Sequence, residues 1–469
     1  MISAILAGAL LSLATFSTSL WPLSWLGVFL LFRSLLNQKI KIRIQRVAIS
    51  QLIYFGVVLH WTSTYVGSLP WLLLVTMESF LLLIPALFSY RRNIESALLF
   101  SLAWCAADFL RMKFPFGGFG WARIGFFQID SPLRPILALG GVVLLQSLLI
   151  FLSASFAIGL INFTRVAATC LVILLASYLY QSVLEGTDQT RTGWKVAAVQ
   201  GGVRLGIDFN RTPEEVFSLH RDATVKRSQD LVGSDLILWP ENSVDIDPFV
   251  HQKILTQLID LNKNLKSPIL VGAVLNDRGL RNASLWIADQ KIQRYYKEDL
   301  APFGEYIPLR SIAEKVSSYT DEVTDFQPGE SGSLFHHRGV AVLPVICFEV
   351  LDDQFLATRA SNAAILAIQT NNATFGRSTE AMQQFLINRV RAYETHKPAV
   401  IASTTGITAI VNEKGEIVSS VEQFTAGVAM ATVNPQTSRT LRTQFPYLTE
   451  LLLLGIFLAL VARKKVSLR

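Results

Sequence analysis

Long apolar runs set the first limit on what this chain can fold into. They lie near residues 2–17, 20–36, 47–66, 70–90, 95–112, 134–162, 166–184 and 446–463. Each has, or nearly has, the roughly 20 apolar residues that a bilayer core demands. The first two are short and joined by a tight Ser/Thr/Pro loop, Ser17 to Ser24. Charged residues make up only 16% of the chain, against roughly 25% in average soluble proteins. That deficit excludes disorder and argues against an ordinary soluble enzyme. Met1 opens directly into apolar sequence without a basic stretch, so a retained first helix is expected rather than a cleaved signal peptide.

The formal net charge is +7. In a membrane chain, excess Lys and Arg report topology before nucleic-acid binding. Arg33, Lys39, Lys41, Arg43 and Arg46 follow the second run, Arg91 and Arg92 the fourth, Arg165 the sixth, and Arg463, Lys464, Lys465 and Arg469 the last. Basic residues on every second loop predict about eight spans with both termini in the cytoplasm. The long polar segment before the last span then lies outside the cytoplasm, as suits a bacterial inner membrane. The loop after the fifth run is an exception, with Arg111, Lys113 and Arg123. Its aromatic, Gly-rich stretch Phe114–Trp121 reads either as an interfacial belt with turns or as a wall of a site in the polar segment. The three Cys exclude a disulfide framework, and six scattered His with no HExxH or CxxC argue against a metal site.

The expected organisation is a membrane domain of about seven helices over 1–188, a polar domain over 189–442, and a last helix with a basic tail over 443–469. Within the polar domain, strands are predicted at Lys195–Gln200, Asp235–Trp239, Pro268–Val274, Ala283–Ala288, Val340–Ile346, Ala363–Gln369, Val400–Ser403 into Thr408–Val411, and Val428–Val433. The more continuous apolar strands imply burial on both faces. Amphipathic helices fit Pro213–Val232, Val250–Asn264 and Glu380–His396, with Asp208 or Thr212 able to cap the first. The class is α/β.

Three motifs stand at strand ends. Trp239-Pro240-Glu241 ends one strand. Tyr295-Tyr296-Lys297 follows another and runs into Pro302-Phe303-Gly304-Glu305-Tyr306. Cys347-Phe348-Glu349 begins where a strand meets a probable helix. A thiolate is the attacking form of Cys, and an ordinary thiol near pKa 8.5 is mostly protonated at neutral pH. No His lies in these motifs, so a Cys–His pair is not indicated. Glu241 can serve as base if burial raises its proton affinity. Lys297 can stabilise a thiolate and an oxyanion, with the backbone amide after Cys347 as a second donor. Each residue alone has a bland alternative: a packed Cys, a solvated Glu, a surface Lys. Their joint occurrence, in order, favours chemistry. Cys105 and Cys170 sit in apolar runs and read as packing residues.

At these residues the chain resembles the nitrilase superfamily and, within it, the apolipoprotein N-acyltransferases. The resemblance spans nearly the whole chain. It implies a bundle of about eight transmembrane helices with a nitrilase-like α-β-β-α sandwich inserted before the last. It implies Glu241 as general base, Lys297 as support for the tetrahedral intermediate and Cys347 as nucleophile. Glu305, Phe348 and Glu349 match supporting positions, and Phe209 matches a lipid-contacting aromatic that is usually Trp. The implied reaction is N-acylation of the diacylglyceryl-cysteine at an apolipoprotein N-terminus. A membrane phospholipid is the donor, a Cys thioester the intermediate, and no cofactor, metal or nucleic acid takes part. A monomer is expected.

The departures from the family pattern are specific. Asn371-Asn372-Ala373-Thr374-Phe375-Gly376 stands where NDAWFG is common. A His is absent near Gln383-Gln384-Phe385, Ala402 replaces a common Arg, and Asp299 replaces a His after the Lys. They bear on donor and acceptor recognition if those positions line the approach to the thiol. They also keep open a membrane-bound amidase or hydrolase with water as acceptor, and a non-enzymatic partner subunit. Arg389, Arg391 and Glu394 either buttress the sheet or present Arg to phosphate. The stretch Leu309–Phe326, with Val316, Tyr319 and Val323 at helical spacing, reads as a surface helix or as a mobile arm over the site.

Overall fold

The computed structural model describes residues 1–187, 193–204, 212–315, 320, 323–332 and 334–466. The chain forms two compact units, Met1–Gly186 with Thr440–Arg469, and Thr187–Arg439.

In the first unit the apolar runs fold as helices. They include Ile2–Leu13, Trp21–Leu35, Ile40–Val58, Ser68–Leu81, Ile94–Arg111, Leu137–Ile158, Leu160–Thr187 and Leu448–Val466. Among the described residues, two stretches are long and apolar enough to cross a membrane, Arg134–Ile158 and Phe163–Leu184. Others are shorter than the sequence suggested: Ile2–Leu13 has 12 residues and Ser68–Leu81 has 14. At about 1.5 Å per residue neither covers a hydrocarbon core about 30 Å thick. Leu179 and Val172 on the helix Leu160–Thr187 are 70% and 66% exposed. So long an uncovered apolar helix face marks contact with lipid or another apolar surface.

The exceptional loop after the fifth run has a structural explanation. Arg111 and Arg123 are both buried. Arg111 pairs with Glu78 at 2.5 Å and Asp108 at 2.8 Å, and donates to the Trp121 carbonyl. Arg123 lies over the Phe126 ring, 4.5 Å from its centroid. Neither is a loop charge in the sense of the positive-inside rule. Arg43, also counted there, is buried and donates to the Ala86 and Gln38 carbonyls.

The second unit holds two six-stranded sheets. The strands are β1 (Trp194–Gln200), β2 (Leu236–Leu238), β3 (Ile269–Asn276), β4 (Leu280–Ala288), β5 (Lys291–Tyr296), β6 (Phe335–His337), β7 (Val340–Ile346), β8 (Ile365–Thr370), β9 (Ala399–Ser403), β10 (Ala409–Val411), β11 (Ile417–Ser420) and β12 (Gly427–Val433). The sheet orders are β12-β1-β2-β3-β4-β5 and β11-β10-β9-β8-β7-β6. In each sheet a parallel core, β1-β2-β3 or β7-β8-β9, is flanked by antiparallel strands.

Side-chain alternation builds the layers. Val196, Ala198, Leu236 and Leu238 enter one apolar core with Val342, Ile346, Ala367 and Val400, between the sheets. Ala197, Val199, Ile237 and Trp239 enter a second core with Phe217, Ile254, Leu258, Leu261 and Leu265. The last four sit at i, i+4, i+7 and i+11 of the helix Gln252–Leu265, the spacing of one helical face. Helices Pro213–Lys226 and Gln252–Leu265 thus cover the first sheet, and Glu380–Thr395 packs on β9 of the second. Thr212 caps Pro213–Lys226 through its hydroxyl, which accepts from the Glu215 amide. The other proposed cap, Asp208, lies outside the described residues. The expected α/β domain is present, built on two sheets. Strands β6 and β11 were not anticipated, because both are short and partly exposed and carry no clean alternation.

Candidate active site

Three strand ends converge. Glu241 follows β2, and Gly272 in β3 makes room for it. A Cβ at Gly272 would come within 2.4 Å of the Pro240 carbonyl oxygen and 2.6 Å of Glu241 Cα. Lys297 follows β5, its amide donating to the Asn282 carbonyl at 2.9 Å. Cys347 follows β7 at the start of a short 3₁₀ helix, Cys347–Leu351, with φ of +48°. A non-glycine residue in that left-handed region is costly and is often found at functional turns.

Lys297 Nζ lies 3.1 Å from Glu241 Oε1 and 2.8 Å from Glu305 Oε2. Asn282 Nδ2 donates to Glu241 Oε1 at 2.7 Å and to Glu305 Oε1 at 2.9 Å. The Ala301 amide donates to Glu305 Oε2 at 2.8 Å. A lysine between two carboxylates keeps its proton, and the pair outweighs the cost of burial, so Lys297 is held well above its ordinary value. The Cys347 thiol is pushed up, first by burial and then by the Glu241 charge. Lys297 and a hydrogen bond from Gln384 oppose this. The resting thiol is therefore protonated and needs a base. Glu241 and, more weakly, Glu380 are the carboxylates whose charges act on the thiol, so Glu241 can take its proton.

Glu349 does not reach into this cluster but braces it. It is fully buried and accepts from the Ile346 amide at 2.6 Å, the Glu298 amide at 2.8 Å and the Tyr295 hydroxyl at 2.6 Å. It therefore ties the turn carrying Cys347 to the segment carrying Lys297. Burial pushes its carboxyl up to about 8 despite those donors. Phe348 sits half-buried beside Cys347. Phe209 lies outside the described residues, as do Val316 and Tyr319. Val323, which shares their proposed helical spacing, is buried, and its carbonyl accepts from Arg310 at 2.9 Å.

Two of the departures from the family pattern, Asn372 and Ala402, do not sit as expected. Asn372 is buried in a hydrogen-bonded network, and Ala402 packs in the core between the sheets. Neither lines an open approach to the thiol. Arg391 is fully buried against Asp353 and Glu394, at 2.6 Å and 2.5 Å, so the helix Glu380–Thr395 buttresses the fold with it. Arg389 donates to the Gly415 carbonyl.

Sequence reasoning missed Asn282 and assigned no role to Gln384. Nothing local marks either one. Among the described residues no group of three or more His, Cys, Asp or Glu is placed to hold a metal ion.

Comparison with known proteins follows the same division of the chain. The family model for the apolipoprotein N-acyltransferase N-terminal domain matches residues 7–155, and that for carbon-nitrogen hydrolases matches residues 195–443. An apolipoprotein N-acyltransferase of Mycolicibacterium smegmatis is 30% identical over 88% of this chain and 76% of its own length. Those of Vibrio cholerae and Azotobacter vinelandii are 28% and 29% identical, over 94% and 95% of this chain and 92% and 90% of theirs. Among solved structures, an amidase from Nesterenkonia sp. aligns over 52% of this chain and 91% of its own, at 16% identity and a TM-score of 0.40.

Proposed function

The chain belongs to the apolipoprotein N-acyltransferase family and is an acyltransferase, and from that premise we propose that it transfers an acyl chain from a membrane phospholipid to the α-amino group of a diacylglyceryl-cysteine at an apolipoprotein N-terminus. The observation that carries this is the grouping of Glu241, Lys297 and Cys347 at the ends of β2, β5 and β7.

Glu241 takes the thiol proton as Cys347 Sγ attacks the ester carbonyl. The oxyanion is stabilised by Lys297 and the Phe348 amide. Collapse breaks the ester C–O bond, and Glu241 returns the proton to the departing lysophospholipid alkoxide. The Cys347 thioester remains. In the second half the acceptor amine attacks the thioester carbonyl, an amide bond forms, and the thiolate leaves. Glu241 takes a proton from the attacking amine and returns one to the sulfur. Two half-reactions through one covalent intermediate give ping-pong kinetics. Exclusion of water protects the thioester. Glu305 and Glu349 hold the lysine and the nucleophile turn, and Phe209 is assigned to lipid contact.

The same proposal places the catalytic domain over 189–442 on the extracytoplasmic side of a bacterial inner membrane. Residues 1–188 and 443–469 supply about eight spans. The protein acts as a monomer. Loop-charge alternation and the uncovered apolar face of Leu160–Thr187 support this arrangement.

The test is the intact mass of the purified protein after incubation with a defined phospholipid, with and without neutral hydroxylamine. The expected result is a hydroxylamine-labile acyl adduct mapping to Cys347 and absent from Cys347→Ala. A wild-type protein whose thiol alkylates but which takes no acyl group from any common phospholipid overturns the proposal. Release of ammonia from simple amides in that case identifies an amidase.

A further inference from the structure

The motifs left over from the sequence, Asn371–Gly376, Gln383–Phe385 and Ser403–Gly406, come from different elements and meet in one hydrogen-bonded chain. The Gly406 amide donates to Ser403 Oγ at 2.8 Å. Ser403 Oγ donates to Asn372 Oδ1 at 2.5 Å, and Thr370 Oγ1 donates to the same oxygen at 3.0 Å. Asn372 Nδ2 donates to Gln384 Oε1 at 2.7 Å and to Glu380 Oε2 at 2.8 Å. Gln384 Nε2 then reaches Cys347 Sγ at 3.4 Å. Asn372, Gln384, Ser403 and Thr370 are all buried.

The chain has one direction. It starts at a backbone N–H, which can only donate. Ser403 Oγ accepts there and turns its single hydrogen toward Asn372. With hydroxyls filling Asn372 Oδ1 and a carboxylic group taking one side of Nδ2, the asparagine amide cannot flip. Its other N–H fixes Gln384 Oε1 as the acceptor, which leaves Gln384 Nε2 aimed at the sulfur. Amide orientation is set by the network around it, and here every link agrees. Gly406 must be glycine for the first link: a Cβ there would stand 2.4 Å from Asn372 Oδ1 and 2.7 Å from Ser403 Oγ.

We propose that Gln384 is a catalytic hydrogen-bond donor to the Cys347 sulfur, aimed by Asn372, Ser403, Thr370 and Glu380 as positioning residues. This rests on Cys347 being the nucleophile. A fixed donor favours the thiolate over the thiol. It acts when the sulfur attacks and again when the thiolate leaves the thioester. It also holds the sulfur in one rotamer, so the lone pair points the same way in both half-reactions. The donor is a neutral amide and does not titrate, so its help does not depend on pH.

The test needs no lipid. Iodoacetamide alkylation of Cys347 in the full-length, detergent-solubilised protein is followed across pH by mass mapping. Gln384→Leu keeps the volume and removes the donor. Its alkylation midpoint should rise by about one pH unit, making reaction near neutrality about tenfold slower. The rates should converge with wild type at high pH. Asn372→Leu, which cannot donate to Gln384 Oε1, should move the midpoint the same way, and Ser403→Ala should move it less. A folded Gln384→Leu protein with an unmoved profile overturns the inference. If Gln384→Leu loses its thermal transition, unmoved profiles in Asn372→Leu and Ser403→Ala overturn it instead. Wild type that alkylates but never takes up acyl refutes the acyl-transfer proposal and leaves this one standing. Wild type that acylates, beside an unmoved Gln384→Leu profile, refutes this inference alone.

Discussion

Each unit of this chain buries a cation between two carboxylates, with a carboxamide beside them. In the first unit Arg111 sits between Glu78 and Asp108, and Gln146 donates to Asp108. In the second, Lys297 sits between Glu241 and Glu305, and Asn282 donates to both. By residue type the two clusters are nearly the same. They differ in what the cation has left to do. The planar guanidinium of Arg111 points one nitrogen at each carboxylate and the third at the Trp121 carbonyl, so all three nitrogens are engaged in holding the fold. The ammonium of Lys297 is a point charge that also acts on the Cys347 thiol. A buried ion triad is therefore a weak sign of function by itself. A reactive group within reach of its field is the discriminating feature. The Arg391–Asp353–Glu394 cluster makes the same point inside the second unit, since the Arg391 nitrogens are engaged by Asp353, Glu394 and the Val350 carbonyl.

The comparison breaks most directly by removing each cation. Lys297→Met should slow acyl-adduct formation by roughly 10²–10³-fold, the cost of losing one oxyanion donor. Arg391→Met should instead cost roughly 3–5 kcal/mol of stability, the usual penalty for stranding buried carboxylates. Its remaining folded fraction should alkylate at Cys347 with a near wild-type pH profile. Thermal unfolding read beside alkylation separates the two. If Arg391→Met moves the alkylation profile as far as Lys297→Met does, the distinction drawn between saturated and reactive triads is wrong.

A subtler contrast concerns carboxyls that burial holds in the protonated form. Glu380 is buried beside Asn372, and burial pushes its carboxyl up from 4.5 to about 8. A raised folded-state value means that stability is fully present below the unfolded value. It is then lost as pH rises through the folded one. The window therefore runs from about 4.5 to about 8. Glu380→Gln cannot ionise, so its thermal midpoint should decline less over that window than the wild type's. Parallel curves would show that Glu380 is ionised throughout.

The smallest effect expected is at the Thr212 cap. Thr212→Ala should lower the stability of the second unit by ~1 kcal/mol, the common value for losing an N-cap oxygen. It should leave alkylation of Cys347 unchanged. Denaturant unfolding of the full-length protein checks it.

Local pattern made much of this legible. Strands β1, β2, β3, β7, β8 and β12 show in the sequence because both their faces are apolar or alternate cleanly. The helix Gln252–Leu265 shows because its apolar face repeats at helical spacing. Edge strands β6 and β11 do not, since a short, half-exposed strand owes its existence to its neighbour rather than to its own residues. Basic residues misled where Arg43, Arg111 and Arg123 looked like loop charges, because burial of an Arg is a tertiary fact.

By itself the sequence determined the division into apolar and polar halves and marked Glu241, Lys297 and Cys347 as candidates for chemistry. Those follow from composition over long windows and from short motifs whose members are neighbours in the chain. Tertiary structure alone decided that Asn282 would bridge Glu241 and Glu305, that Glu349 would brace rather than react, and that Gln384 would face the sulfur. Apart from the Ile346–Glu349 bond, those contacts join residues 23 to 41 positions apart in sequence. A side-chain hydrogen bond depends on where the backbone has already been carried, and the strand order and register, not the local residue pattern, carry it there.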